Sequence, residues 1–264
     1  MSGLLEKSLK EQRRSIVGWG IGLALVALMY ASVFPSIVAS AAALQEYIRK
    51  LPEAFRALIG SEDYTSPAGY LRTEFFAMMG PILFLVFSIG AGSRALAGEE
   101  EAQTLDLLLS TPVRRHEVVR AKWIAIVATA VALAAVSFVA IELFGRPFGL
   151  SVGVLGLAQM CLMLALLGIA FGSISLAVGA VTGRRAVANA VAGAVAVAAF
   201  ILNALGPSVD WLRPLRPASP IRWYMEPDPL LTHLSVVSVL VLVGIAAAGF
   251  AVAWIGFERR DLRA

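Results

Sequence analysis

The chain has 264 residues, of which 59% are hydrophobic and only 15% charged, with a mean hydropathy of +0.80 and a formal net charge of +4 at pH 7. Soluble domains sit nearer half apolar and a quarter charged, so this composition excludes an ordinary soluble globular domain and predicts an integral membrane protein. The single cysteine, Cys161, excludes an intrachain disulfide framework and a cysteine metal site.

The start, MSGLLEKSLKEQRRS, carries charge but no small-residue cleavage site, so no removable signal peptide is expected. Leu5, Leu9, Gln12 and Ile16 share one helical stripe, with Lys7, Lys10, Glu11 and Arg14 off it. That pattern predicts an amphipathic helix over 1–16 lying in the inner membrane interface. Six stretches then reach the roughly 20 apolar residues needed to cross the hydrocarbon: 17–39, 75–95, 123–144, 152–182, 186–205 and 231–257. The fourth is long enough to tilt or to begin with a re-entrant turn near Gly153 and Gly156.

Between the first two spans, Leu44, Ile48, Leu51, Phe55 and Leu58 recur at three- and four-residue steps, predicting a second interfacial helix kinked at Pro52. The loop before the last span holds six prolines within GPSVDWLRPLRPASPIRWYMEPDP, which forbid a long regular helix. Its Trp211, Trp223 and Tyr224 suit the headgroup level. Of the 22 Lys and Arg, 14 fall at the chain ends, between spans 2 and 3, and between spans 4 and 5. This bias places both termini and the segment 98–122 in the cytoplasm. The expected organisation is one domain: 1–16 interfacial, 17–97 spans 1 and 2, 98–122 a cytoplasmic segment, and 123–264 spans 3 to 6 with a short tail.

The segment 98–122 is the least membrane-like part of the chain. Glu99, Glu100 and Glu101 follow Gly98 at the start of a short helix, where carboxylates complement the positive dipole end. Leu105, Leu108 and Leu109 form an apolar ridge, Thr111-Pro112 breaks the helix, and Arg114, Arg115, Arg120 and Lys122 lead into span 3. On these residues alone, a ridge resting on lipid and a ridge docking on a partner are both open.

The words AGEEEAQTLDLLLSTPVRRHEVVRAKW resemble the cytoplasmic signature of permease subunits of ATP-binding-cassette exporters of the ABC-2 type. SPIRWYMEPDPL, from Ser219 to Leu230, resembles the family's segment before the last span, and GFERRDLRA its arginine-rich ending. Ala102-Gln103 departs from the family, many of whose members carry a basic residue and a glycine there. The resemblance implies that 98–122 is a coupling helix docked on a separate ATPase, with Leu105, Leu108 and Leu109 filling a groove and Glu99, Glu100, Glu101, Asp106, Arg114 and Arg115 at its rim. It also implies two permease copies or a paralogue pair, two ATPase subunits that hold ATP and Mg, and a multi-pass protein of a prokaryotic inner membrane.

No G-x-x-x-x-G-K-[ST] phosphate loop occurs in the chain; GAVTGRRA lacks the lysine followed by Ser or Thr. No cofactor, metal or nucleic acid is expected on this chain, and it is not expected to be an enzyme. Spans without central ionisable residues disfavour a proton relay. They favour an amphipathic or lipophilic cargo, drug-like or lipid, and the resemblance implies that it is moved outward. Candidate path residues are Phe75, Met78, Met79, Gln159, Asn189 and Asn203, with helix-helix hydrogen bonding as the other role open to the amides. Ser173 and Ser175 are expected to bond between helices, and Gly18-x-x-x-Gly22 and Gly168-x-x-x-Gly172 to permit close helix approach. The reading from a different class is a membrane scaffold that couples an ATPase to an extracytoplasmic process without transport.

Overall fold

A computed structural model of the chain describes residues 2–40, 66–103 and 114–260. The expected helix around Pro52 and the ridge Leu105, Asp106, Leu108 and Leu109 lie outside the described residues. Among the described residues the fold is all-helical, and six helices are long and apolar enough to cross a membrane. In hydrocarbon every backbone polar group must bond within its own helix, which is why an apolar chain of this length takes this form.

Span 1 belongs to one continuous helix, Ser2–Ala39, with no break between the polar start and the apolar stretch. The two pieces expected on either side of residue 16 are therefore one rod. Nothing in the sequence around Arg14, Ser15 and Ile16 is a helix breaker. Span 2 runs Pro67–Glu101, eight residues longer at its start than the hydropathy suggests, because Ser66 caps it by accepting from the Gly69 N–H at 3.1 Å and Pro67 opens the first turn. Span 3 covers Arg115–Phe148, span 4 Val154–Thr182, span 5 Arg185–Leu205 and span 6 Val236–Arg259. Span 4 starts as a plain helix after Gly153, with no re-entrant turn.

Span 2 departs from α geometry twice, at the π-helical segments Leu71–Met79 and Arg94–Gly98. Pro81 accounts for what happens at the first. The Gly80 N–H bonds back to Phe75 O, five residues earlier, so the next amide in that register would bond Phe76 O. Pro81 has no N–H to offer. The orphaned Phe76 carbonyl instead accepts the Tyr224 hydroxyl at 2.9 Å. Tyr224 is thereby fully buried, in contrast to the headgroup position its sequence context suggests, while Trp211 stays 71% exposed.

Span 4 is the centre of the bundle. Of its most apolar 18 residues 78% are buried, against 22% in span 1 and 17% in span 5. Glycines set how closely its neighbours approach. A Cβ on Gly92 of span 2 would lie 2.3 Å from Gly172 O, and one on Gly249 of span 6 would lie 2.8 Å from Ser173 C. Gly168 and Gly172 thus serve the close approach expected of them. Gly18 and Gly22 do not: a Cβ on either meets nothing within 4 Å.

Hydroxyls then stitch the packed helices. Ser175 Oγ donates to Ile89 O at 2.8 Å, and Ser173 Oγ accepts the Trp123 Nε1–H at 2.9 Å while donating to Ile169 O at 2.7 Å. Ser173→Ala leaves a tryptophan N–H without its acceptor at a buried site. The expected loss is about 1–3 kcal/mol, read as a lower thermal midpoint in detergent, with Trp123→Phe on the same background restoring most of it.

Candidate functional site

Two features of span 2 stand apart from packing. The first is a groove. On span 2, Ile82, Leu85, Val86, Ile89, Gly90 and Arg94 fall on one face by three- and four-residue steps. On span 5, Asn189, Gly193, Ala196, Val197, Phe200 and Ile201 do the same, with Arg185 at the end. Facing each other they enclose about 620 Å³, inside the range of small-molecule sites. Gly90, Gly193 and Ala196 are too small to fill the space between the helices. Span 5 meets the bundle through a buried alanine stripe, Ala188, Ala192, Ala196 and Ala199, and Ala196 at the edge of that stripe also borders the groove.

The second feature is a charged cluster at the end of span 2. Glu99 pairs with Lys122 of span 3, and Glu100 with Arg260 after span 6. Glu101 Oε1 accepts the backbone N–H of Arg185, the first residue of span 5, at 2.9 Å. Arg260 is itself held: its carbonyl accepts from Arg115 Nη1 at 2.8 Å, and its Nη1 donates to Ala180 O of span 4 at 3.4 Å. Nearby, the His116 ring stacks on Trp254 with centroids 5.4 Å apart and lies 3.7 Å from Glu258. Three consecutive glutamates therefore clasp spans 3, 5 and 6 to the end of span 2. Glu99 and Lys122 keep 15% and 7% of their side chains exposed, so this pair is an interior one.

Just beyond the clasp, Gln103 has φ 54°, the left-handed region. This is the position at which many ABC-2 permeases carry glycine, and a helix C-terminus is where a left-handed residue is needed. Glutamine accepts the conformation there at some cost in strain.

The opposite end of the bundle is also laced by ion pairs. Arg72 Nε lies 2.7 Å from Asp228 Oδ2, and Glu226 meets Arg216 and, at 3.5 Å, Arg222. The first joins the start of span 2 to the proline-rich connection before span 6, and the other two tie that connection to itself across its 3₁₀ turn over Arg213–Ala218 and its short helix over Pro220–Met225.

Of the six residues singled out for a path, the structure brings only Asn189 to the groove. Phe75 is fully buried, packed edge-on to Phe76 with centroids 5.0 Å apart. Met78 is 58% exposed on the outer surface of the bundle, Met79 and Gln159 are half-buried away from the groove, and Asn203 buries its Oδ1 without a partner among the described residues. Of the rim charges, Glu99, Glu100, Glu101 and Arg115 have partners within the chain. Arg114 is exposed, its N–H accepted by Glu117 Oε2 at 3.2 Å. Sequence reasoning passed over the groove's two arginines, Arg94 and Arg185, counting them only toward topology. For Arg94 the signal was an arginine inside an apolar stretch with a glycine four positions away on either side, Gly90 and Gly98; Arg185, at the start of span 5, carried no such local signal.

A family model described as ABC-2 family transporter protein matches residues 3–262. No curated protein matches the chain. With six apolar helices beneath a match that runs almost from end to end, this multi-pass membrane chain belongs to the ABC-2 transporter family, whose permeases are non-catalytic transport components that pair with ATP-binding-cassette ATPase subunits.

Proposed function

We propose that this chain is the permease subunit of an ATP-binding-cassette exporter and that the groove between spans 2 and 5 is its part of the translocation path. The observation that carries this reading is the continuity of span 2. One helix contributes a wall of the groove from Ile82 to Arg94 and, within two further turns, the clasp at Glu99, Glu100 and Glu101. Segment 104–113 follows directly, so an ATPase pressing on the ridge Leu105, Leu108 and Leu109 would act through the clasp. The clasp reaches spans 3, 5 and 6 at once, and displacement of span 2 against span 5 changes the width of the groove. The π-helical segment Arg94–Gly98 lies between clasp and groove, and such segments break the regular hydrogen-bond ladder where a helix is required to adjust.

On this reading the clasp end faces the cytoplasm, as the Lys and Arg bias requires, in a prokaryotic inner membrane. ATP and Mg belong to the partner, since this chain offers no phosphate loop. The exposed apolar faces of spans 1, 5 and 6 suit lipid and a second permease copy or paralogue. A cargo entering the groove would be amphipathic or lipophilic, drug-like or lipid.

The test is co-purification with the ATPase encoded beside the permease. Leu105→Asp/Leu108→Asp should reduce recovery of the complex at least tenfold, since charge replaces two apolar anchors worth about 1–3 kcal/mol each, while the mutant permease still inserts and runs as a single species. Normal recovery of the complex would remove 98–122 as the dock.

A further inference from the structure

The groove is apolar along its length except at one end, where Arg94 and Arg185 line it together. A Cβ built on Gly98 would lie 3.9 Å from Arg185 Cδ, so the Arg185 side chain crosses to span 2 one turn beyond Arg94. Among the described residues neither guanidinium has an ion-pair partner. The adjacent carboxylates are committed elsewhere: Glu99 to Lys122, Glu100 to Arg260, and Glu101 to the backbone N–H of Arg185 rather than to its guanidinium. Two neighbouring cations repel, and an anion between them removes that repulsion.

The direction taken by Arg94 matters as much as its charge. Arg94 stands near the end of span 2, and an arginine snorkelling to bulk headgroups would extend toward that end. Its guanidinium instead lies back over Gly90, with Nη1 3.3 Å and Nη2 3.6 Å from where a Cβ would stand. Gly90 is one turn deeper in the apolar stretch and is itself part of the groove wall. The cation is aimed into the groove.

We propose that the groove binds an anionic amphiphile, its carboxylate or phosphate headgroup held by Arg94 and Arg185 and its alkyl tail laid along Leu85, Val86, Ile89, Val197 and Phe200. This names the substrate class of the path proposed above and rests on that reading. The groove extends about 18 Å along span 2 from Ile82 to Arg94, enough for an alkyl chain. Arginine provides paired donors that match carboxylate and phosphate oxygens, and Asn189, on the same wall, adds a neutral donor. A neutral lipophile would leave both guanidiniums without an anion, and a cationic one would add a third like charge. A free inorganic anion would leave the apolar walls unused.

The test titrates the purified full chain, in a neutral detergent, with dansyl-labelled undecanoic acid and with its methyl ester, reading dansyl fluorescence. The acid should bind at least about tenfold more tightly than the ester, the scale of a charge-assisted hydrogen bond. Arg94→Gln/Arg185→Gln should erase that difference while leaving the ester unchanged, and Arg94→Lys/Arg185→Lys should retain part of it. Gly193→Trp, which fills the groove, should remove binding of both probes, and millimolar inorganic phosphate should not displace the acid. Equal binding of acid and ester, or a preference that survives the double glutamine variant, overturns the anionic headgroup but leaves the path reading standing. Binding of both probes untouched by Gly193→Trp overturns the groove as a ligand site, and the path reading with it. Displacement by phosphate alone makes this an inorganic anion site and overturns the amphiphile. Exclusion of both probes from native chain, together with a Val197→Cys disulfide between copies in membranes, makes the groove a permease–permease interface and overturns the proposal.

Discussion

Glu99→Gln should lower the apparent thermal midpoint of the purified permease by on the order of 10 °C, the largest effect expected of any side chain at the clasp. Glu99 and Lys122 are both mostly withdrawn from solvent. Glutamine is close in shape but removes the Glu99 charge from the mostly buried Lys122 ammonium, and breaking an interior pair in this way costs about 3–5 kcal/mol. Lys122→Met alone should be similarly harmful because it takes the paired ammonium away from the mostly buried Glu99 carboxylate. The double variant Glu99→Leu/Lys122→Met removes both charges and should recover most of the midpoint. ATPase turnover in the complex then separates stability from transmission. If the clasp carries motion from segment 104–113 to span 3, the apolar double variant folds but loses stimulation by transported compounds. Full stimulation in the double variant would reduce this pair to a structural role.

Gly92→Leu should prevent accumulation of folded permease, with the chain aggregating on solubilisation. The Cβ alone would sit 2.3 Å from Gly172 O and 3.0 Å from Leu176 N, both backbone atoms of the central helix. Neither neighbour can rotate away, so spans 2 and 4 must separate. That separation also pulls Ser175 Oγ from Ile89 O. Gly92→Ala should be measurable, at about 1–3 kcal/mol for overpacking, by thermal midpoint and size-exclusion profile. Gly18→Leu supplies the control. A Cβ at Gly18 meets nothing within 4 Å, so that variant should behave like the native chain. A Gly18→Leu effect as large as that of Gly92→Leu would show that span 1 packs against something absent from the isolated chain.

How far the sequence could be read depended on whether a feature was local. Length and apolar run set the six spans, because crossing hydrocarbon is a property of one helix at a time. The bond-forming roles of Ser173 and Ser175 and the close approach at Gly168 and Gly172 were also legible, since small and hydroxylated residues in an apolar helix have few other uses. The same argument misled at Gly18 and Gly22, where the identical spacing faces open space. A spacing records that a close approach is permitted, and only a neighbour makes it happen.

The site was far less legible than the fold. Glu99, Glu100 and Glu101 were visible as a cluster, but a cluster of carboxylates reads equally well as a rim for a partner and as a clasp. Which it is depends on Lys122, Arg185 and Arg260, which lie 23, 84 and 160 residues away in sequence. Tyr224 looked like a headgroup anchor from its prolines and tryptophan neighbour. Its burial follows from a carbonyl left free by Pro81, a vacancy that arises only once span 2 adopts π geometry. Phe75 and Met78 were grouped by their apolar chemistry, and the helix turned one into the core and the other outward.

By itself, then, the sequence determined that this chain holds six stretches long and apolar enough to cross a membrane, that its charged segment follows the second of them, and which family it resembles. These rest on composition, periodicity and a contiguous motif, each carried by a single stretch of chain. The tertiary structure decided which faces meet. It placed span 4 at the centre, closed the glutamates on three other spans, and set Arg94 beside Arg185 at the end of an apolar groove. Those outcomes come from packing between helices far apart in sequence, where glycine and alanine stripes fix the distances and ion pairs fix the ends, and no local pattern encodes the partner.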